Sequence, residues 1–188
     1  MTTQKLLGRL QDDVRSITEY VRLEVQPADL HVLNQKPSAD RWSALECIEH
    51  LNRYNLFYLD EIERALSRID SAFKDEDVKY SWLGKKFIRM MDPSNVKQHK
   101  TLKHMNPVNS VLSKDTVEVF LAGQDRLAGL LQKGHSKNIN AGKVRVEFLR
   151  LLKLTLPECI EFLVVHQQRH INQVRATLTV SSSPMFVV

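Results

Sequence analysis

The feature that most constrains this chain is the helical spacing of its apolar residues, which recurs in four long stretches without a convincing run of period-two alternation. Such a pattern predicts an all-α fold. The first stretch predicts a helix over about residues 3–25, with Leu6, Leu7, Leu10, Val14, Ile17, Val21 and Leu23 facing inward and Pro27 as its stop. The second covers about 43–70 and begins at Ser43, whose hydroxyl can cap while Glu46 completes a capping box. It continues through Leu45, Ile48, Leu51, Leu59, Ile62 and Leu66. The third, about 113–134, runs through Val119, Phe120, Leu127 and Leu131 to Gly134, a natural helix stop. The fourth, about 155–178, has Thr155 as cap, Pro157 in the first turn and Glu158 as reciprocal partner.

Connection lengths then bear on topology. The link over 26–42 is much shorter than the stretch of about forty residues between the second and third helices, which far exceeds a turn between antiparallel neighbours. Such a crossover lets the third helix run parallel to the second. With the fourth turning back, the expectation is a four-helix bundle, up-down-down-up, in a single domain over 1–188. With 43% hydrophobic residues in 188, the chain can bury a substantial core. Cys47 and Cys159 each sit in an apolar helical pattern, which reads as reduced core thiols and not a disulfide framework.

Charge and hydropathy limit the function classes. The opening MTTQKLLGRLQDD carries charges where a secretory signal needs an apolar stretch, and no window is apolar enough for a membrane span. A cytoplasmic location is expected, with no membrane partner. The net charge of +5 comes largely from residues 74–104, which hold eight Lys/Arg against four acids. This segment includes Tyr80, Trp82 and Phe87 but no nucleic-acid-binding module, so nucleic acid is not an expected partner. Its Trp82, Phe87, Ile88, Met90 and Met91 are expected to lie across the bundle while its charges stay in water. Neither this segment nor the tail 181–188 carries a motif that assigns it a role.

Of seven histidines, His31, His99, His104 and His135 fall in linkers or beyond helix ends and are expected to be exposed loop residues. His166 and His170 stand four apart on the fourth helix, on one side of it and one turn apart. That side also carries Cys159, Phe162, Leu163, Gln173 and Val174, so both rings are expected to point inward. Buried imidazoles need polar partners, and one metal ion satisfies two at once. A third ligand follows from depth. His50 lies roughly 10 Å into the second helix, and His170 and His166 lie roughly 12 to 18 Å from the far end of the fourth, at about 1.5 Å per residue. In an antiparallel pair these depths nearly coincide. On spacing alone, such histidines also serve as hydrogen-bonded core residues or surface charges. Three imidazoles with an open position suit a divalent metal ion, zinc or nickel ahead of iron and copper.

Two blocks resemble a known family. Lys36-Pro37, Trp42-Ser43, Glu46 and His50-Leu51 resemble the first signature of the DinB-like metalloprotein superfamily, and Leu156, Glu158, His166, Arg169-His170 and Gln173 resemble its last helix. Lys100–Pro107 resembles a linker before the third helix, and the similarity spans most of 36–175. The resemblance implies the same four-helix bundle and a divalent metal on His50, His166 and His170. It also implies a transferase or isomerase that activates a low-molecular-weight thiol at the metal, acting on a small-molecule substrate. A metal-bound thiol loses its proton and becomes a nucleophile at neutral pH. Water as the activated group, a non-catalytic metal- or ligand-binding bundle, and a homodimer all stay open.

Other metal chemistries lack their residues. Gln167 stands where a zincin helix has its glutamate base, so a peptidase is not expected. Leu163 and Gln167 stand where di-iron bundles need glutamates. Near the site, Tyr54 could offer a hydroxyl to substrate or metal-bound water, although a core or rim tyrosine is the plainer reading, and Gln173 could orient an imidazole or equally bond a helix neighbour. Trp42 is expected to pack the start of the second helix, Arg169 to lie in an ion pair or on the surface, and Cys47 to be an inert thiol.

Overall fold

Side-chain caps begin two of the principal helices where the sequence placed them, at Ser43 and Thr155. The computed structural model describes residues 1–181 except 96, 98, 99, 109 and 148, so His99 and the tail from 182 lie outside the described residues. Helix α1 spans Thr3–Tyr20 and continues into a π-helical turn, Val21–Val25. A short α2, Leu30–Asn34, precedes α3, Ala44–Ser67. At the start of α3 the Ser43 hydroxyl accepts from the Glu46 N–H at 3.1 Å, and the Glu46 carboxylate accepts from the Ser43 N–H at 2.9 Å. Helix α4 spans Trp82–Met91, α5 spans Asp115–Gly134, and strands β1 (Lys143–Val146) and β2 (Leu149–Thr155) lead into α6, Leu156–Ser181. The head of α6 repeats the capping box: Thr155 N–H reaches the Glu158 carboxylate at 2.9 Å, and Glu158 N–H reaches the Thr155 hydroxyl at 3.4 Å.

The all-α expectation is corrected in two places. The chain is mostly helical, but β1 and β2 form a small antiparallel sheet, Lys143 opposite Thr155, with an irregularity between Arg145 and Val146. The alternation that makes β1 is only Lys-Val-Arg-Val, with Val144 and Val146 buried, and β2 runs into α6 without a break. The crossover segment also contains a true helix, α4, and not only apolar side chains laid across the bundle. Two residues expected inside are exposed: Leu23 by 72% and Val119 by 58%. Each lies two residues from buried neighbours on both sides, which puts it about 200° around the helix from them.

Helix α3 packs along α5 and α6, and α1 packs along the same two. Across α3 and α6 the contacts Cys47 to Gln173, Asn55 to Gln167 and Tyr58 to Phe162 run in opposite sequence senses. Across α3 and α5 the pairs Asn52 to Thr116 and Glu63 to Arg126 run in the same sense. Helix α1 meets α5 through Gln11 and Gln132, and its π turn meets α5 through Arg22 and Asp125, again in opposite senses. Helix α4 is seated on α6 at its N-terminus. There the buried Glu158 carboxylate accepts from the Ser81 N–H, and the Ser81 hydroxyl accepts from the Gly84 N–H at 3.0 Å. A carboxylate at a helix N-terminus answers both the unpaired N–H groups and the helix dipole. Gly84 lies directly on that carboxylate, where a Cβ would collide with it.

Candidate metal centre

Three imidazoles meet between α3 and α6. His50 sits on the second turn of α3, and His166 and His170 sit one turn apart on α6, where the opposite sense of the two helices brings their depths together. His166 Nε2 lies 3.2 Å from His50 Nε2 and 3.0 Å from His170 Nε2. All three residues are buried, and among the described residues they are the group placed so that a metal ion could be held.

The outer nitrogens decide what the inner ones can do. His50 Nδ1 is 2.8 Å from the Met105 carbonyl oxygen, which can only accept, so the ring proton is on Nδ1 and Nε2 carries a lone pair. His170 Nδ1 faces the Gln173 side-chain oxygen at 2.8 Å, which the Cys47 thiol also faces at 3.9 Å. An oxygen that takes both donors leaves the His170 Nε2 unprotonated as well. His166 Nδ1 is buried with no hydrogen-bond partner. Three neutral rings carry three protons in all, two of which are committed to outer nitrogens. At least two lone pairs therefore converge, and three do when His166 is protonated at Nδ1.

Electrostatics keep the rings neutral. Burial pushes His50 down to about 4 and His170 down to about 3, and the neighbouring Arg53 and His50 respectively add to the fall. His166 is held well below the usual histidine value, first by burial and then by the two other rings. Converging lone pairs in a dry site repel unless something electron-poor lies between them. The spacing fits a cation, since nitrogens about 2.0–2.1 Å from a tetrahedral metal stand about 3.3 Å apart. Imidazole donors suit zinc, nickel, iron and copper.

The histidines form one wall of a cleft of about 570 Å³, also lined by Cys47, Trp42, Tyr54, Phe87, Met90 and Met91. That is within the usual range for small-molecule sites, about 300–1,000 Å³. Trp42 does more than pack the start of α3: its ring centroid is 4.8 Å from His50 and 5.8 Å from His170. The Tyr54 ring is 4.9 Å from His50 and 4.4 Å from His166, and its hydroxyl is pushed up to about 12 by burial, with the Glu147 carboxylate adding. It therefore stays protonated at neutral pH. The Cys47 thiol is likewise pushed up to about 12 by burial, and Cys159 is raised by burial too, so both remain thiols.

Other residues differ from expectation. Arg169 is half-buried, and its guanidinium donates to the backbone carbonyls of Asp92, Asn95 and Lys97, pinning the segment after α4 beside the cleft. His135 is half-buried and bonds Gln11 at 3.0 Å, whereas His31 is exposed as expected. His104 is exposed but held by Glu147 at 2.6 Å. Sequence reasoning missed Met105, which acts through its backbone carbonyl, and the contribution of α4 to the cleft.

A sequence model of the DinB superfamily matches residues 12–174. No curated protein and no solved structure gives a significant match. The family match takes in α3, α5, all three histidines and most of α6, and on that extent the chain belongs to the DinB superfamily.

Proposed function

We propose that this protein is a metal-dependent enzyme, a transferase that activates a low-molecular-weight thiol, or water, beside His50, His166 and His170. The observation that carries the reading is the convergence of three neutral Nε2 atoms on the wall of a cleft that can admit a small molecule. The opposite and equal senses of the helix contacts support the up-down-down-up bundle as the scaffold. A zinc or nickel ion bound there would lower the pKa of a coordinated thiol or water and so supply a nucleophile at neutral pH.

The chain's own residues define the rest. Met105 and Gln173 hold the protons of His50 and His170 on the outer nitrogens, which leaves the inner ones as donors. Tyr54, protonated and against two of the rings, can donate a hydrogen bond to a group on the substrate. Phe87, Met90, Met91 and Trp42 offer an apolar surface to the acceptor substrate and exclude water from it. No histidine neighbour supplies a carboxylate base at the position of Gln167, whose amide bonds Asn55 instead. A test is consumption of a low-molecular-weight thiol in the presence of an electrophile by zinc- or nickel-loaded protein. The expected rate is lost in His166→Ala; equal rates in both proteins would remove the transferase reading. Bound metal without any turnover would leave a metal- or ligand-binding bundle.

A further inference from the structure

The apolar core is not continuous. One cluster holds Tyr58 of α3, Leu127 of α5 and Val164 of α6, and the other holds Leu51 of α3, Leu121 of α5 and Ile171 of α6. On each helix the boundary between the clusters carries a buried amide: Asn55, Gln124 and Gln167, with side chains at most 4% exposed. Gln167 Nε2 donates to Asn55 Oδ1 at 3.0 Å, across α6 and α3. Asn55 Nδ2, both polar atoms of Gln124 and Gln167 Oε1 have no partner among the described residues. Gly123 lets α5 approach this level, since a Cβ there would lie 2.9 Å from Asn55 Nδ2.

Buried amides with unmade bonds cost stability, and apolar side chains of similar size would pack the same space without that cost. What the amides do supply is register. If α6 slid one turn along α3, Asn55 would face Leu163 or Ile171, and Gln167 would face Leu51 or Leu59, losing their mutual bond. The same slide shifts α6 by about 5.4 Å, which puts one of His166 and His170 in the other's place and carries the other away from His50. Gln167 is the immediate neighbour of His166, so the register that pairs the amides is also the one that brings the three Nε2 atoms together.

We infer that Asn55 and Gln167 form a register key: positioning residues that hold α6 against α3 where the three histidines converge, at the expense of core stability. This inference rests on the metal reading above. The test compares wild type with Asn55→Leu/Gln167→Leu and with Asn55→Leu/Gln167→Met, measuring the thermal midpoint without metal and the affinity for cobalt(II) by its absorption. The variants are expected to be folded, to melt at or above the wild-type temperature, and to bind cobalt(II) at least about tenfold more weakly. The exchanged pair Asn55→Gln/Gln167→Asn keeps an amide on each helix and should return the affinity to within about threefold of wild type. Leucine variants that bind cobalt as tightly as wild type overturn the inference and leave the metal reading standing. Variants that fail to fold overturn it as well, because the layer would then be a source of stability. Wild-type protein that binds no cobalt overturns the metal reading, and this inference with it.

Discussion

His170 owes its usable nitrogen to Gln173. The side-chain oxygen of Gln173, 2.8 Å from His170 Nδ1, holds the ring proton there, so the Nε2 that points at the other rings carries a bare lone pair. Gln173→Leu removes that acceptor while keeping the volume. Metal affinity measured against a chromophoric chelator should fall about 10- to 100-fold, and an unchanged affinity would show that the contact does not orient the ring. This pair was legible in the sequence because helical spacing alone puts residues three and four apart on one face. His50 was legible through its depth from the Ser43 cap. Met105 was not, since the group that orients His50 is a carbonyl that every residue carries. Trp42 was visible as an aromatic at a helix start, but only the fold shows that its ring lies against two histidines.

At the scale of elements, α4 depends on one buried carboxylate and one glycine. Glu158 caps its own helix through Thr155 and the N-terminus of α4 through Ser81, and Gly84 is packed on the same carboxyl group. Gly84→Ala would raise helix propensity in isolation, but the added methyl must displace either α4 or the Glu158 carboxyl group that caps both helix starts. A loss of about 1–3 kcal/mol in thermal denaturation is expected, with faster proteolysis between 80 and 100. A variant as stable and as resistant as wild type would contradict this seating. The long helices were readable because both caps and periodicity agreed at α3 and α6. The hairpin was hidden because β1 has only four residues and β2 shares its last residue, Thr155, with the α6 cap. Helix α4 was hidden by its lysines, which mask the stripe of Phe87, Ile88 and Met91 that rests on the core.

For the whole molecule, gathering three histidines into a dry centre links stability to pH. In the unfolded chain each titrates near 6.5, whereas in the fold burial depresses all three, His50 to about 4 and His170 to about 3. Between these values the unfolded state binds more protons, so stability is full above pH 6.5 and is lost as pH falls towards 4. Each histidine contributes at most about 1.4 kcal/mol per pH unit across that window. Metal-free wild type should therefore show a falling melting temperature from pH 7 to 4.5, and His166→Leu a shallower decline. Parallel profiles would mean that the site does not govern acid stability.

Everything proposed for this protein depends on His50, His166 and His170 holding a divalent metal together. Elemental analysis of the purified protein beside His50→Ala and His166→Ala, with helicity followed by circular dichroism, tests it most directly. About one zinc or nickel per wild-type chain is expected, with loss of that metal from both variants while they remain helical. Full retention of metal in both variants, or a wild-type protein that takes up none, would contradict it.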